Sequence, residues 1–109
     1  MAEKILIKTS KPVHISDLGG FLSKYLGESR GESYYDRYFG GDVDNIAYTV
    51  RSYPYGQVNS TQFEIISGEK APKLDKAVLE KAIESSWDEI IPDTAKMFSR
   101  RAQKSKVKG

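Results

Sequence analysis

The chain contains no cysteine and a single histidine. Without cysteine there is no disulfide framework, no thiolate nucleophile and no cysteine-ligated metal centre, and one imidazole cannot build a histidine-rich metal site. Long apolar runs are missing too: nothing approaches the roughly 18 residues a membrane-spanning helix needs. Met1 to Thr9 alternates charge with short aliphatic runs, unlike a secretory leader. These absences lead us to expect a cytoplasmic protein without a membrane partner. The glycines at Gly40 and Gly41 are not followed by a Lys-Ser or Lys-Thr pair, so no phosphate-binding loop is present.

What is there fits one domain: 109 residues, 39% of them hydrophobic. Basic and acidic residues nearly balance at 17 and 15, but they are segregated. Every Asp and Glu lies at or before Asp93, whereas Lys96, Arg100, Arg101, Lys104, Lys106 and Lys108 follow it. Residues 1–95 thus carry 11 basic against 15 acidic groups, a net −4, and residues 96–109 carry +6. A cluster of one sign at a chain end attracts anionic partners through a field that salt screens, or simply keeps the end solvated.

Lys4 to Lys8 is short, branched and apolar in the middle, which predicts a strand central to a sheet and broken by Lys11-Pro12. From Ser16 the period changes: Leu18, Phe21, Leu22, Tyr25 and Leu26 form one helical stripe, with Ser16 or Asp17 as cap and Gly27 at the C-terminal end. Gly19 and Gly20 weaken that helix unless another backbone approaches there. Tyr34 to Phe39 reads equally as a strand or a loop, with Gly40-Gly41 turning the chain. Ile46, Tyr48 and Val50 alternate as a half-buried strand, Tyr53 to Gly56 is a turn, and Phe63 to Ile66 is the returning partner. Pro72 suits the first turn of a long helix striped by Leu74, Ala77, Val78, Ala82, Ile83, Trp87, Ile90 and Ile91 and stopped by Pro92. Asp93 or Thr94 caps a last helix. The expected architecture is α+β: a small antiparallel sheet of three or four strands with two or three helices on one face, in the order β-α-(β)-β-β-α-α. Residues 1–92 form the domain, and residues 93–109 a basic C-terminal helix and frayed tail.

No catalytic constellation is evident. His14 stands near Ser16 and Asp17, but adjacency in sequence does not make a triad, and a histidine before a helix reads as a surface or capping residue. Asp42 and Asp44 have the spacing of an oxygen-ligand loop, which Ile46 interrupts. Asp88 and Glu89 point different ways on a helix. No catalytic residue, metal ligand or cofactor is assigned. The better lead is Arg30, Tyr34, Tyr35, Arg37, Tyr38 and Phe39, rings and guanidinium groups with little aliphatic content around them. Tyrosine and arginine are enriched at protein interfaces, and both also stack on unpaired bases; the bland alternative turns two of the rings into the core. Glu28, Glu32, Asp36, Asp42 and Asp44 nearby disfavour phosphate.

The expectation is therefore a small non-enzymatic binding protein that modulates, as an inhibitor does, a larger protein or nucleoprotein partner. It contacts that partner through residues 30–39 and docks on an anionic surface through Lys96, Arg100, Arg101, Lys104, Lys106 and Lys108. The alternative is a nucleic-acid-binding protein using the same tail and rings, and a further one an enzyme of carboxylates or tyrosines that only the fold assembles. A homodimer through the last helix, with Met97 and Phe98, stays open.

Overall fold

The computed structural model describes residues 3–42 and 44–91. Its elements are β1 (Glu3–His14), α1 (Ile15–Leu26), β2 (Ser29–Ser33), β3 (Asp36–Asp42), β4 (Asn45–Ser52), β5 (Asn59–Ser67), α2 (Lys76–Glu84) and α3 (Trp87–Ile90). The α+β class is as expected, but the sheet has five strands rather than three or four. All neighbours are antiparallel, side by side in the order β1-β5-β4-β3-β2. The extra strand arises in the aromatic stretch, where Ser33 pairs with Asp36 and Tyr34-Tyr35 form the two-residue turn between β2 and β3. Neither residue belongs to the Gly, Asn and Asp set that marks such turns, so the hairpin has no sequence signature.

Strands β1 and β2 occupy opposite edges, so α1 must cross the sheet between them. Four interstrand gaps of about 4.8 Å span about 19 Å, and 12 helical residues at about 1.5 Å each cover about 18 Å. The stripe of α1 buries Ile15, Leu18, Phe21, Leu22 and Leu26 against Ile7 and Val13 of β1, Phe39, Tyr48, Val50, Phe63 and Ile65, with Leu79, Ile83 and Ile90 closing the core from α2 and α3. Tyr25 leaves the expected stripe and lies against Phe21 at the surface, ring centroids 5.6 Å apart. His14 is the cap in place of Ser16 or Asp17: its Nδ1 accepts the Ser16 N–H at 3.1 Å. The close approach expected at Gly19 comes from side chains, since a Cβ there would stand 3.3 Å from Phe39 Cζ and 3.4 Å from Arg37 Cγ; at Gly20 nothing lies within 4 Å. The tight backbone contact is instead between Gly27 and Gly40. Both have positive φ, and a Cβ on Gly27 would meet Gly40 Cα at 2.9 Å. Gly40 and Gly41 thus belong to β3, and the chain turns only after Asp42.

Strand β1 lies at an edge, not the centre, and runs through Pro12 to His14. Its register with β5 slips between Lys8 and Val13, and an irregular edge segment tolerates a residue lacking an N–H. The outer side of β1 is guarded by α2: Glu80 Oε2 accepts the Lys8 N–H at 2.8 Å and Glu84 Oε2 the Ser10 N–H at 3.2 Å. Unpaired edge N–H groups are templates for another strand, and these two carboxylates occupy them.

The C-terminal helix also differs. It starts at Lys76 rather than at Pro72, because Asp75 Oδ1 takes the N–H groups of Ala77 and Val78. The carbonyl of Pro72 accepts a hydrogen bond from the Tyr48 hydroxyl, whose pKa burial pushes up. Leu79 and Ile83 are buried while Val78 is exposed. The expected single helix divides at Ser85-Ser86, where the Ser85 hydroxyl donates to the Lys81 carbonyl at 2.8 Å, competition that ends helices. No described helix is long and apolar enough to cross a membrane. The helix and tail expected over 93–109, with the six basic residues there, lie outside the described residues.

Two measurements test this arrangement. Gly20→Ala is expected to stabilise the fold by about 0.5–1 kcal/mol, the helix-propensity gain, whereas Gly19→Ala gives up most of that gain against Phe39; equal gains in denaturant unfolding would contradict the contact. The second concerns pH. The Ser10 hydroxyl first, then its backbone N–H, the Trp87 indole and the Lys11 charge outweigh desolvation and hold the Glu84 carboxyl below its ordinary value near 4.5. A folded-state pKa below the unfolded one gives stability that is fully present above the unfolded value and is lost as pH falls through the folded value. Unfolding series from about pH 7 to about pH 3 should therefore show a steeper acid loss in the parent than in Glu84→Gln, and parallel curves would refute the edge guard.

Candidate functional site

Strand alternation divides residues 30–39 between two faces of the sheet. Arg37 and Phe39 point toward α1. Phe39 is 3% exposed and belongs to the core, so it offers no surface to a partner. Arg37 is held by Glu32 (Nε to Oε2, 3.2 Å), by the Ser16 hydroxyl (2.8 Å) and by the Asp36 carbonyl (2.9 Å). Arg30 donates to the Gly41 carbonyl at 2.6 Å and pairs with Glu28 at 3.5 Å. On the face opposite the helices, Arg51 of β4 stands across from Asp36 of β3 and pairs with it at 3.3 Å. Tyr38 shares that face, its hydroxyl 3.5 Å from Asp36 Oδ2.

The six residues therefore do not form one patch. Tyr34 and Tyr35 belong to a different group, built at the end of the sheet where two loops meet. Tyr34 is 90% exposed, its ring 6.2 Å from that of Tyr35. Tyr35 meets the ring of Tyr55, from the β4–β5 loop, edge to face at 5.6 Å. The Arg51 guanidinium lies over the Tyr55 ring, 5.0 Å from its centroid, while Asp36 holds its charge. Tyr55 and Tyr53, in the same loop, are 56% and 44% exposed.

Sequence reasoning missed Arg51, Tyr53 and Tyr55. The signal was available once the meander is drawn: in consecutive antiparallel strands alternate turns return to one end, which brings Tyr34-Tyr35 beside Tyr53-Pro54-Tyr55. The arrangement is an aromatic surface whose cation is fixed by a carboxylate.

The other features considered from sequence stay apart. His14 is a cap, and Glu89 pairs with Lys24. Among the described residues no three His, Cys, Asp or Glu side chains gather as a metal site. A cleft of about 630 Å³ opens at the opposite end of the sheet, between the β3–β4 turn and the β5–α2 connection, lined by Asp42, Asn45, Ile46, Glu69 and Lys70 among others. Comparison of the chain with protein-family models, with curated proteins and with solved structures finds no match.

The geometry predicts the behaviour of Arg51→Lys. A lysine keeps a charge beside Asp36 but has no planar fork to lie over a ring, so stability should fall by less than about 1 kcal/mol. The ring-proton resonances of Tyr55 and Tyr35 should shift; unchanged resonances would mean that Arg51 does not organise the two rings.

Proposed function

We propose that the chain is a small non-enzymatic binding protein that modulates, as an inhibitor does, a larger macromolecular partner, with Tyr34, Tyr35 and Tyr55 as its specific contact. The observation that carries this reading is the occupancy of the β2–β3 turn. Two-residue hairpins usually turn through positive φ and so favour Asn-Gly or a similar pair; here both places are taken by tyrosine, neither with positive φ, and one of the two is 90% exposed. Departures from local rules of this kind concentrate where a protein acts rather than where it folds. Covering one such ring is worth about 1.5–3 kcal/mol, and tyrosine and arginine lead among residues that dominate interfaces.

The three arginines of the described residues, Arg30, Arg37 and Arg51, each sit beside a carboxylate. Recruiting one to a phosphate would break its pair, which favours a protein over a nucleic acid at this surface. Lys96, Arg100, Arg101, Lys104, Lys106 and Lys108 are proposed to add attraction to an anionic region of the partner, in the cytoplasm. The nucleic-acid reading, with those six charges on phosphates and the rings on bases, predicts a steep fall of affinity with salt, about 0.7–0.9 log units per log unit of salt for each phosphate contact.

The test uses the tagged full chain and the partner it retains. Tyr34→Ala and Tyr55→Ala should each reduce retention about fivefold or more, and changing Tyr34-Tyr35 to Asn-Gly should abolish it while leaving stability within about 1 kcal/mol of the parent. Retention indifferent to all three variants would overturn the reading, and so would collapse of the Asn-Gly variant, which would give the tyrosines a structural role.

A further inference from the structure

Resting on that reading, the geometry points to the class of partner: we propose that the Tyr34, Tyr35 and Tyr55 surface takes a proline-rich segment in the polyproline II conformation. Three observations carry it. The first is spacing. Successive ring centroids are 6.2 and 5.6 Å apart, at interplanar angles of 38° and 80°, so the rings are tilted steps rather than a flat platform. A polyproline II chain rises about 3.1 Å per residue, and alternate residues are thus about 6.2 Å apart. Each X-Pro step of such a chain advances by the distance from one ring to the next.

The second is hydrogen bonding. Among the described residues the hydroxyls of Tyr34, Tyr35, Tyr53 and Tyr55 have no hydrogen-bond partner. A polyproline II backbone forms no internal hydrogen bonds and leaves its carbonyls for outside donors; tyrosine offers a ring face to the pyrrolidine and a hydroxyl to the carbonyl beside it.

The third is charge. The Asp36 carboxylate occupies Arg51 and Glu32 occupies Arg37, so this end of the sheet presents rings whose nearby arginines are already neutralised. An uncharged, pre-extended ligand fits it better than a phosphate-bearing one. Such a ligand also loses little conformational freedom on docking, which lets a surface of three rings suffice. An added β-strand would use backbone groups along an edge instead, and would not need the rings.

Titration of the isotope-labelled full chain with an oligoproline peptide of about ten residues, against a Gly-Ser peptide of equal length, tests the assignment. The expected result is that oligoproline moves the resonances of Tyr34, Tyr35, Tyr53 and Tyr55, that the Gly-Ser peptide does not, and that Tyr34→Ala and Tyr55→Ala each weaken the peptide about fivefold or more. No response to oligoproline, a response elsewhere on the protein, equal responses to both peptides, or stronger movement of the same tyrosines by oligodeoxythymidylate overturns it. A competition arm separates this proposal from the broader one. If partner retention depends on Tyr34 and Tyr55 but excess oligoproline does not displace the partner, the proline-rich assignment fails and the interface reading stands; if retention ignores the tyrosines, the interface reading itself fails.

Discussion

The passage of α1 from one edge of the sheet to the other is the constraint on which the remaining geometry depends. A helix of this length only just reaches, so it must lie close to the strands beneath it. Gly19 makes that possible by leaving room for Phe39 and Arg37. Once Phe39 is seated under the helix, the two-residue period of β3 puts Asp36 and Tyr38 on the opposite face. The register that follows sets Asp36 across from Arg51, and the turn preceding Asp36 falls beside the β4–β5 loop. The tyrosine surface is thus positioned by a contact on the far side of the sheet, through strand alternation rather than through any bond to the helix.

The ion pairs around this surface contribute little to stability, since partly exposed pairs are worth about 0–1 kcal/mol each. Their effect is directional. Arg51 cannot satisfy Asp36 and lie over Tyr55 in many ways at once, so the pair limits the rotamers of three side chains. A surface ordered before contact loses less entropy on contact. The same pairing offsets the charge of Arg30, Arg37 and Arg51 locally.

The helical stripe of Leu18, Phe21, Leu22 and Leu26, the strand pair around Tyr48 and Phe63, and the α+β class were legible because each rests on a period that burial enforces. The β2–β3 hairpin was not, since its turn is made by two tyrosines and β2, Ser-Arg-Gly-Glu-Ser, has no apolar alternation to announce it. The edge placement of β1 was hidden for the reverse reason: Ile5, Leu6 and Ile7 look like a central strand, and the helix that substitutes for a neighbouring strand lies some 70 residues away in sequence. Tyr34 and Tyr35 were identifiable as unusual from composition. Their companions Tyr55 and Arg51 were not, because a contact between two hairpin ends is visible only after all four strands have been paired.

The two edges of the sheet are unlike. Carboxylates of α2 close the β1 side, whereas the outer side of β2 has no strand beside it among the described residues. A sheet with both edges open is a tile that can extend without limit into a fibre. A sheet with one closed edge is an end-piece: two copies joined along β2 would expose only closed edges, and growth would stop at a finite pair.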